Sequence, residues 1–134
     1  MNFVEVSGFS KSYGSNVVFD DIRFTLARGE FVTLLGPSGC GKSTLLRCIA
    51  GLTDLNAGQL CVAGENITHA PPRERGIGMV FQSYALFPNM TVRQNIAFGL
   101  KMQKRAPDAI AAKVAEMIEL VELGGKEDQY PQAL

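Results

Sequence analysis

Apart from Leu45–Ala50, apolar positions before Gln82 come as short alternating or continuous runs, whereas beyond Thr91 they recur at helical spacing. Val4-Glu5-Val6 and Val17-Val18-Phe19 predict short strands around the turn-rich Ser12-Tyr13-Gly14-Ser15-Asn16, an antiparallel flap ahead of a main sheet. Phe24 and Leu26 predict a further strand, and Arg28-Gly29-Glu30 a turn into the continuous run Phe31-Val32-Thr33-Leu34-Leu35, which reads as a buried strand. Leu45, Leu46, Ile49 and Ala50 then have core spacing on a helix capped by Gly51. A strand over Gln59–Ala63, closed by Gly64-Glu65-Asn66, follows the turn Asn56-Ala57-Gly58. Pro71–Arg75 reads as one helical turn and Gly76–Phe81 as a second apolar strand.

Thr91 and Gln94 have capping-box spacing for a helix through Leu100. Pro107 opens another helix, with Ile110, Val114, Met117, Ile118 and Val121 on one face and Gly124-Gly125 as its stop. Two successive helices with no strand between them mark a helical subdomain.

Between the strand Phe31–Leu35 and its helix lies Gly36-Pro37-Ser38-Gly39-Cys40-Gly41-Lys42-Ser43, a complete G-x-x-x-x-G-K-[ST] loop. A strand turning sharply into a helix leaves backbone N–H groups pointing inward at the helix's positive end, which suits phosphate. Glycines at 36, 39 and 41 let the main chain come close. Lys42 is placed to sit between β- and γ-phosphates, the Ser43 hydroxyl to bind Mg2+, and Thr44 to reach an α-phosphate oxygen. Cys40 occupies a variable loop position and reads as a small tolerated residue. The ligand this pattern predicts is a nucleoside triphosphate such as ATP, with Mg2+.

Composition narrows the partners. Thirteen basic residues balance thirteen acidic ones, so there is no basic footprint for nucleic acid. No apolar stretch reaches membrane-spanning length, and Met1-Asn2-Phe3-Val4-Glu5 lacks the form of a secretory signal, so a cytoplasmic location is expected. Cys40, Cys48 and Cys61, odd in number and without metal-type spacing, fit free thiols. His69 sits in a polar turn and reads as solvated.

Taken in order, residues 3–134 resemble the first part of an ATP-binding cassette (ABC) transporter subunit of the bacterial importer branch that serves polyamine, ferric-iron, sulfate, maltose-type and aminoethylphosphonate uptake. Gly36 to Ser43, with Thr44, matches the family's Walker A loop, Tyr13 the aromatic that stacks on adenine, and Gln82 the Q-loop glutamine that reaches Mg2+ and the attacking water. Ser83–Val92 and Asn95–Leu100 carry the branch resemblance. The resemblance implies an α/β P-loop NTPase fold, a core over 1–82 and the start of the helical subdomain over 83–134. It implies ATP-driven solute import at the inner face of the cell membrane. Transmembrane permease subunits would dock around Tyr84–Thr91, a second ATP-binding subunit would complete the site, and a solute-binding protein would act indirectly. Taken alone, Tyr84–Pro88 can also be read as core, Tyr13 as a turn aromatic and Gln82 as a strand cap, but the order of the motifs along the chain favours the family roles for Tyr13 and Gln82.

The chain closes on Tyr130-Pro131-Gln132-Ala133-Leu134, where the family pattern opens its Leu-Ser-Gly-Gly-Gln signature at the position of Leu134. Signature, Walker B aspartate, catalytic glutamate, D-loop and switch histidine therefore have no counterpart in these residues. Glu74 and Asp54 do not end an apolar strand and do not replace them. The chain is thus expected to be an N-terminal portion of such an ATPase, inactive by itself. The alternative is a nucleotide-binding or permease-docking module without turnover. A third reading, a small-metabolite kinase or DNA-repair ATPase, is opposed by the helical insertion after Gln82, the neutral charge and the lack of a coiled coil.

Overall fold

Why the first two dozen residues pair is a matter of one turn: Gly14, at φ 60, and Ser15 form a two-residue reversal that brings Tyr13 opposite Asn16. In the computed structural model, which describes residues 1–134, this turn joins β1 (Asn2–Tyr13) to β2 (Asn16–Ala27) as a long antiparallel hairpin. The strands predicted at Val17–Phe19 and at Phe24 and Leu26 are therefore one strand. Register shifts between Val6 and Phe9 mark bulges that bend the hairpin, with Gly8 and Asp21 both at positive φ.

β3 (Ala57–Val62) pairs antiparallel with the other edge of β1, and the short β4 (Glu65–Asn66) folds back on β3, giving the order β2-β1-β3-β4. Gly58 makes the β1–β3 approach possible, because a Cβ there would lie 2.7 Å from the Gly8 carbonyl oxygen and 2.8 Å from Phe9 Cα. Helix α1 (Lys42–Ala50) covers this sheet. Leu45 and Cys48 of the helix are buried with Val6, Phe9, Leu60 and Ile67. Gly51, at φ 81, ends α1 as predicted, its N–H and that of Leu52 returning to the Cys48 and Arg47 carbonyls.

Two predicted strands are not formed. Neither Phe31–Leu35 nor Gly76–Phe81 is hydrogen-bonded into a sheet, and Phe31, Leu35 and Val80 are largely exposed. An apolar run records a preference for burial between neighbours, but a strand exists only through its ladder, and no segment of this chain pairs with either run. The sheet is thus wholly antiparallel, while the predicted turn at Pro71–Arg75 is present as a 3-10 turn over Pro72–Glu74.

The chain divides into two compact units, Met1–Met79 and Val80–Leu134. In the second, α2 (Val92–Met102) and α3 (Pro107–Leu120) enclose Val92, Ala97, Val114 and Ile118. The capping box is complete: Gln94 N–H donates to Thr91 Oγ1, and Thr91 N–H to Gln94 Oε1. Beyond α3 the chain returns to accept the Val92 and Arg93 N–H groups at the Gln129 and Glu127 carbonyls, satisfying donors that the first turn of α2 leaves open.

Val121 departs from the predicted apolar face. It lies one residue past α3 and is exposed, because the reversal comes at Glu122, φ 59, and not at the glycine pair. Glu122 N–H donates to the Glu119 carbonyl and Leu123 N–H to that of Ile118, a left-handed C-terminal cap built on a non-glycine residue.

Candidate functional site

Everything in the loop Gly36–Ser43 that bears on an anion is set by where its N–H groups are left. Cys40 N–H donates to the Pro37 carbonyl at 3.3 Å and Leu45 N–H to that of Gly41 at 2.9 Å. The N–H groups of Gly39, Gly41, Lys42, Ser43 and Thr44 find no protein acceptor. Gly41, at φ 92, is the N-cap of α1 without a side-chain bond, and no acidic residue occupies the first turn. A row of unsatisfied donors at the positive end of a helix, without a competing carboxylate, suits phosphate oxygens.

Side chains close the loop from two directions. Lys42 Nζ donates to the Gly36 carbonyl, folding its ammonium back over the loop. Cys40 Sγ stands where a Cβ on Gly36 would have to go, 2.7 Å from that position. On the other side Val18 of β2 supports Gly41, where a Cβ would come within 2.8 Å of Val18 Cγ1 and 3.3 Å of the Val18 carbonyl. Glycine is therefore required at 41 for its dihedral and for its contact with the hairpin. Ser43 is exposed, so its hydroxyl is available to a metal ion, and Thr44 is half-buried on the next helical position.

Tyr13 ends β1 beside the hairpin turn and is 56% exposed, with Lys11 Nζ 4.8 Å from its ring centroid. A cation thus lies over one face of the exposed ring. His69 is exposed, as predicted. The three cysteines are free thiols, Cys40 exposed and Cys48 buried, and burial pushes the Cys48 thiol up from its usual pKa.

In the second unit Gln82 is exposed within a turn closed by Tyr84 N–H donating to the Phe81 carbonyl. Tyr84 and Ala85 follow at φ 66 and 53. Tyr84, Leu86 and Phe87 are exposed, which removes the reading of this stretch as core. The loop is nevertheless fixed: Asn95 Nδ2 donates to the Phe87, Met90 and Thr91 carbonyls, Asn95 Oδ1 accepts from Phe87 N–H, and the Phe87 ring meets Phe98 at 4.6 Å.

Sequence reasoning overlooked Val18, Asn95 and Arg75. Asn95 is a polar residue on the inner turn of an amphipathic helix, a visible signal; Val18 and Arg75 act across long sequence separations and give no local sign.

Comparison with known proteins accounts for the arrangement. A family model described as ABC transporter matches residues 19–134. The spermidine/putrescine import ATP-binding protein PotA of Haemophilus influenzae (strain ATCC 51907 / DSM 11121 / KW20 / Rd) is 49% identical over 131 residues, covering 98% of this chain and 35% of the relative. The Fe(3+) ions import ATP-binding protein FbpC of Escherichia coli O157:H7 is 48% identical over 129 residues, covering 96% of this chain and 37% of the relative. This chain thus spans about a third of the length of the curated relatives it matches. Among solved structures, a dimeric post-hydrolysis state of the ATP-binding cassette MJ0796 bound to ADP and Pi superposes with a TM-score of 0.86 at 26% identity, covering 98% of this chain and 62% of the other. The fold is accordingly that of a cassette ATPase, the α/β P-loop class expected, and the chain belongs to the ABC transporter family.

Proposed function

We propose that the chain is the nucleotide-binding portion of an import ATP-binding subunit, which couples ATP binding and hydrolysis to solute uptake across the cytoplasmic membrane. The observation that carries this reading is the row of free N–H groups at Gly39 and Gly41–Thr44, closed over by Lys42. In the proposed complex Lys42 leaves the Gly36 carbonyl for the β- and γ-phosphates, and the backbone from Gly36 through Pro37, Ser38, Gly39, Cys40 and Gly41 wraps them. Ser43 and Gln82 hold the metal, Thr44 an α-phosphate oxygen, and Tyr13 stacks on the base at its uncovered face. Bound Mg2+ would supply charge neutralisation between the phosphates. Gln82 orients water for attack.

The relatives' names support import as the process but not a solute for this chain. We place residues 1–82 as the nucleotide-binding core and 83–134 as the start of the helical subdomain. The exposed and braced stretch Tyr84–Thr91 is the proposed contact for transmembrane permease subunits, which brings the subunit to the inner membrane face. A second ATP-binding subunit completes the site, and the solute-binding protein acts only through the permease. No helix here is long and apolar enough to cross a membrane, which suits a peripheral role.

These 134 residues hold no carboxylate placed as general base, so by themselves they are expected to bind nucleotide without turnover. Calorimetry of Mg-ATP binding, with phosphate release followed in the same sample, tests this. Saturable binding lost in Lys42→Ala and no phosphate release are expected; binding indifferent to Lys42 would sink the site assignment, and Lys42-dependent release would sink the claim of no turnover.

A further inference from the structure

At the end of α1 away from the loop, a single side chain ties the helix to the turn that follows β4. Arg75, half-buried, donates through Nη1 to the Cys48 and Ile49 carbonyls at 3.2 and 3.1 Å, through Nη2 to Thr68 at 2.9 Å, and through Nε to Ala70 at 2.8 Å. The first pair belongs to the last turn of α1 and the second to the turn that follows β4. That turn is itself fixed to the sheet, since Thr68 Oγ1 accepts from Leu60 N–H of β3 at 2.9 Å. Arg75 makes no salt bridge; its guanidinium spends its donors on carbonyls alone. Gly51 makes room for it, because a Cβ there would lie 2.5 Å from Arg75 Nε.

We propose that Arg75 is a positioning residue for nucleotide binding, setting where along and about its axis α1 rests on the sheet and hence where the N–H groups of Gly41–Thr44 point. The proposal rests on the reading of the loop as the nucleotide site. Leu45 and Cys48 hold α1 by apolar burial, which resists removal of the helix but is non-directional and tolerates sliding. Four directional bonds from one planar group across two segments remove that freedom. A cation at a helix C-terminus is also favoured by the dipole, so charge and geometry act together.

Two substitutions separate them. Arg75→Lys keeps the charge but cannot reach both segments in a plane; Arg75→Met removes both. With nine residues at about 1.5 Å each, the loop lies roughly 13 Å from the helix end, beyond contact with the side chain, and Arg75→Lys holds constant the charge that could still act over that distance. Backbone amide chemical shifts of Gly39–Thr44 in the ligand-free chain, and affinities for Mg-ATP and for tripolyphosphate, are measured in both variants. Ile22→Ala in the hairpin, brought to the same margin of thermal stability by choice of temperature, serves as the comparison. Both arginine variants should displace the loop resonances and weaken both ligands about tenfold, with Ile22→Ala binding as the native chain does. Unmoved resonances, native behaviour in Arg75→Lys, or equal weakening in Ile22→Ala would overturn the proposal. Should the native chain bind neither ligand, the functional reading fails while the resonances still decide the positioning role.

Discussion

Placing alanine at Gly41 tests whether the hairpin shapes the phosphate loop. Two costs add. Alanine at φ 92 is in left-handed space, a cost of about 1–2 kcal/mol. Its Cβ would also stand 2.8 Å from Val18 Cγ1 and 3.3 Å from the Val18 carbonyl, overpacking worth about 1–3 kcal/mol. Gly39 separates the two costs, since it has φ 80 but nothing within 4 Å of an added Cβ. Gly39→Ala should therefore lose about 1–2 kcal/mol and Gly41→Ala about 2–5 kcal/mol, a large part of a typical domain's stability. Removing Cγ1 with Val18→Ala should lower the Gly41→Ala increment toward that of Gly39→Ala, with the contact to the residue 18 carbonyl remaining, a coupling of about 1–2 kcal/mol. Urea unfolding followed by circular dichroism measures all five chains, and an unchanged slope confirms that stability alone has moved. Equal losses at 39 and 41, or a Gly41→Ala increment unaltered by Ala at 18, would refute the contact between loop and hairpin. Mg-ATP affinity should fall in Gly41→Ala and recover in part in the double variant.

Glu122→Gly, where the left-handed cap of α3 uses a non-glycine residue, should stabilise the second unit by about 0.5–1 kcal/mol in thermal melts, and a loss would contradict the cap. Asn95→Ala leaves the Phe87 N–H and the Met90 carbonyl without their partner, while the Phe87 and Thr91 carbonyls keep the Met90 and Asn95 N–H groups; an early rise in hydrogen exchange at Phe87, with the middle of α2 unchanged, is the outcome to look for. Thiol reagents should modify Cys40 rapidly and Cys48 only on unfolding. Burial raises the Cys48 pKa, with Asp54 adding to the rise and Lys11 and Arg75 opposing it, so folding favours the neutral thiol. Its contribution is complete below the unfolded value near 9.0 and is lost as pH rises through the folded one; a pH scan in which Cys48→Ala loses stability as steeply above that value as the native chain would contradict this.

How much could be read from the chain depends on how far apart the interacting residues lie. The loop motif, the Gly51 cap, the capping box at Thr91 and the apolar face of α3 short of Val121 were legible, because each is decided within a few turns of backbone by dihedral preference, helical spacing and nearest donors. Phe31–Leu35 and Gly76–Phe81, read as strands, are unpaired within these residues, since apolar content is local but a ladder needs a partner. Likewise Val17–Phe19 and Phe24 with Leu26 became one strand only because β1 is long enough to pair with both across its bulges. Sequence alone suffices to propose which residues carry the chemistry. Only the tertiary structure decided what holds them in place: Val18 against Gly41, Asn95 inside its loop, and Arg75 between helix and sheet, where side chains answer to backbone atoms far away along the chain but close in space.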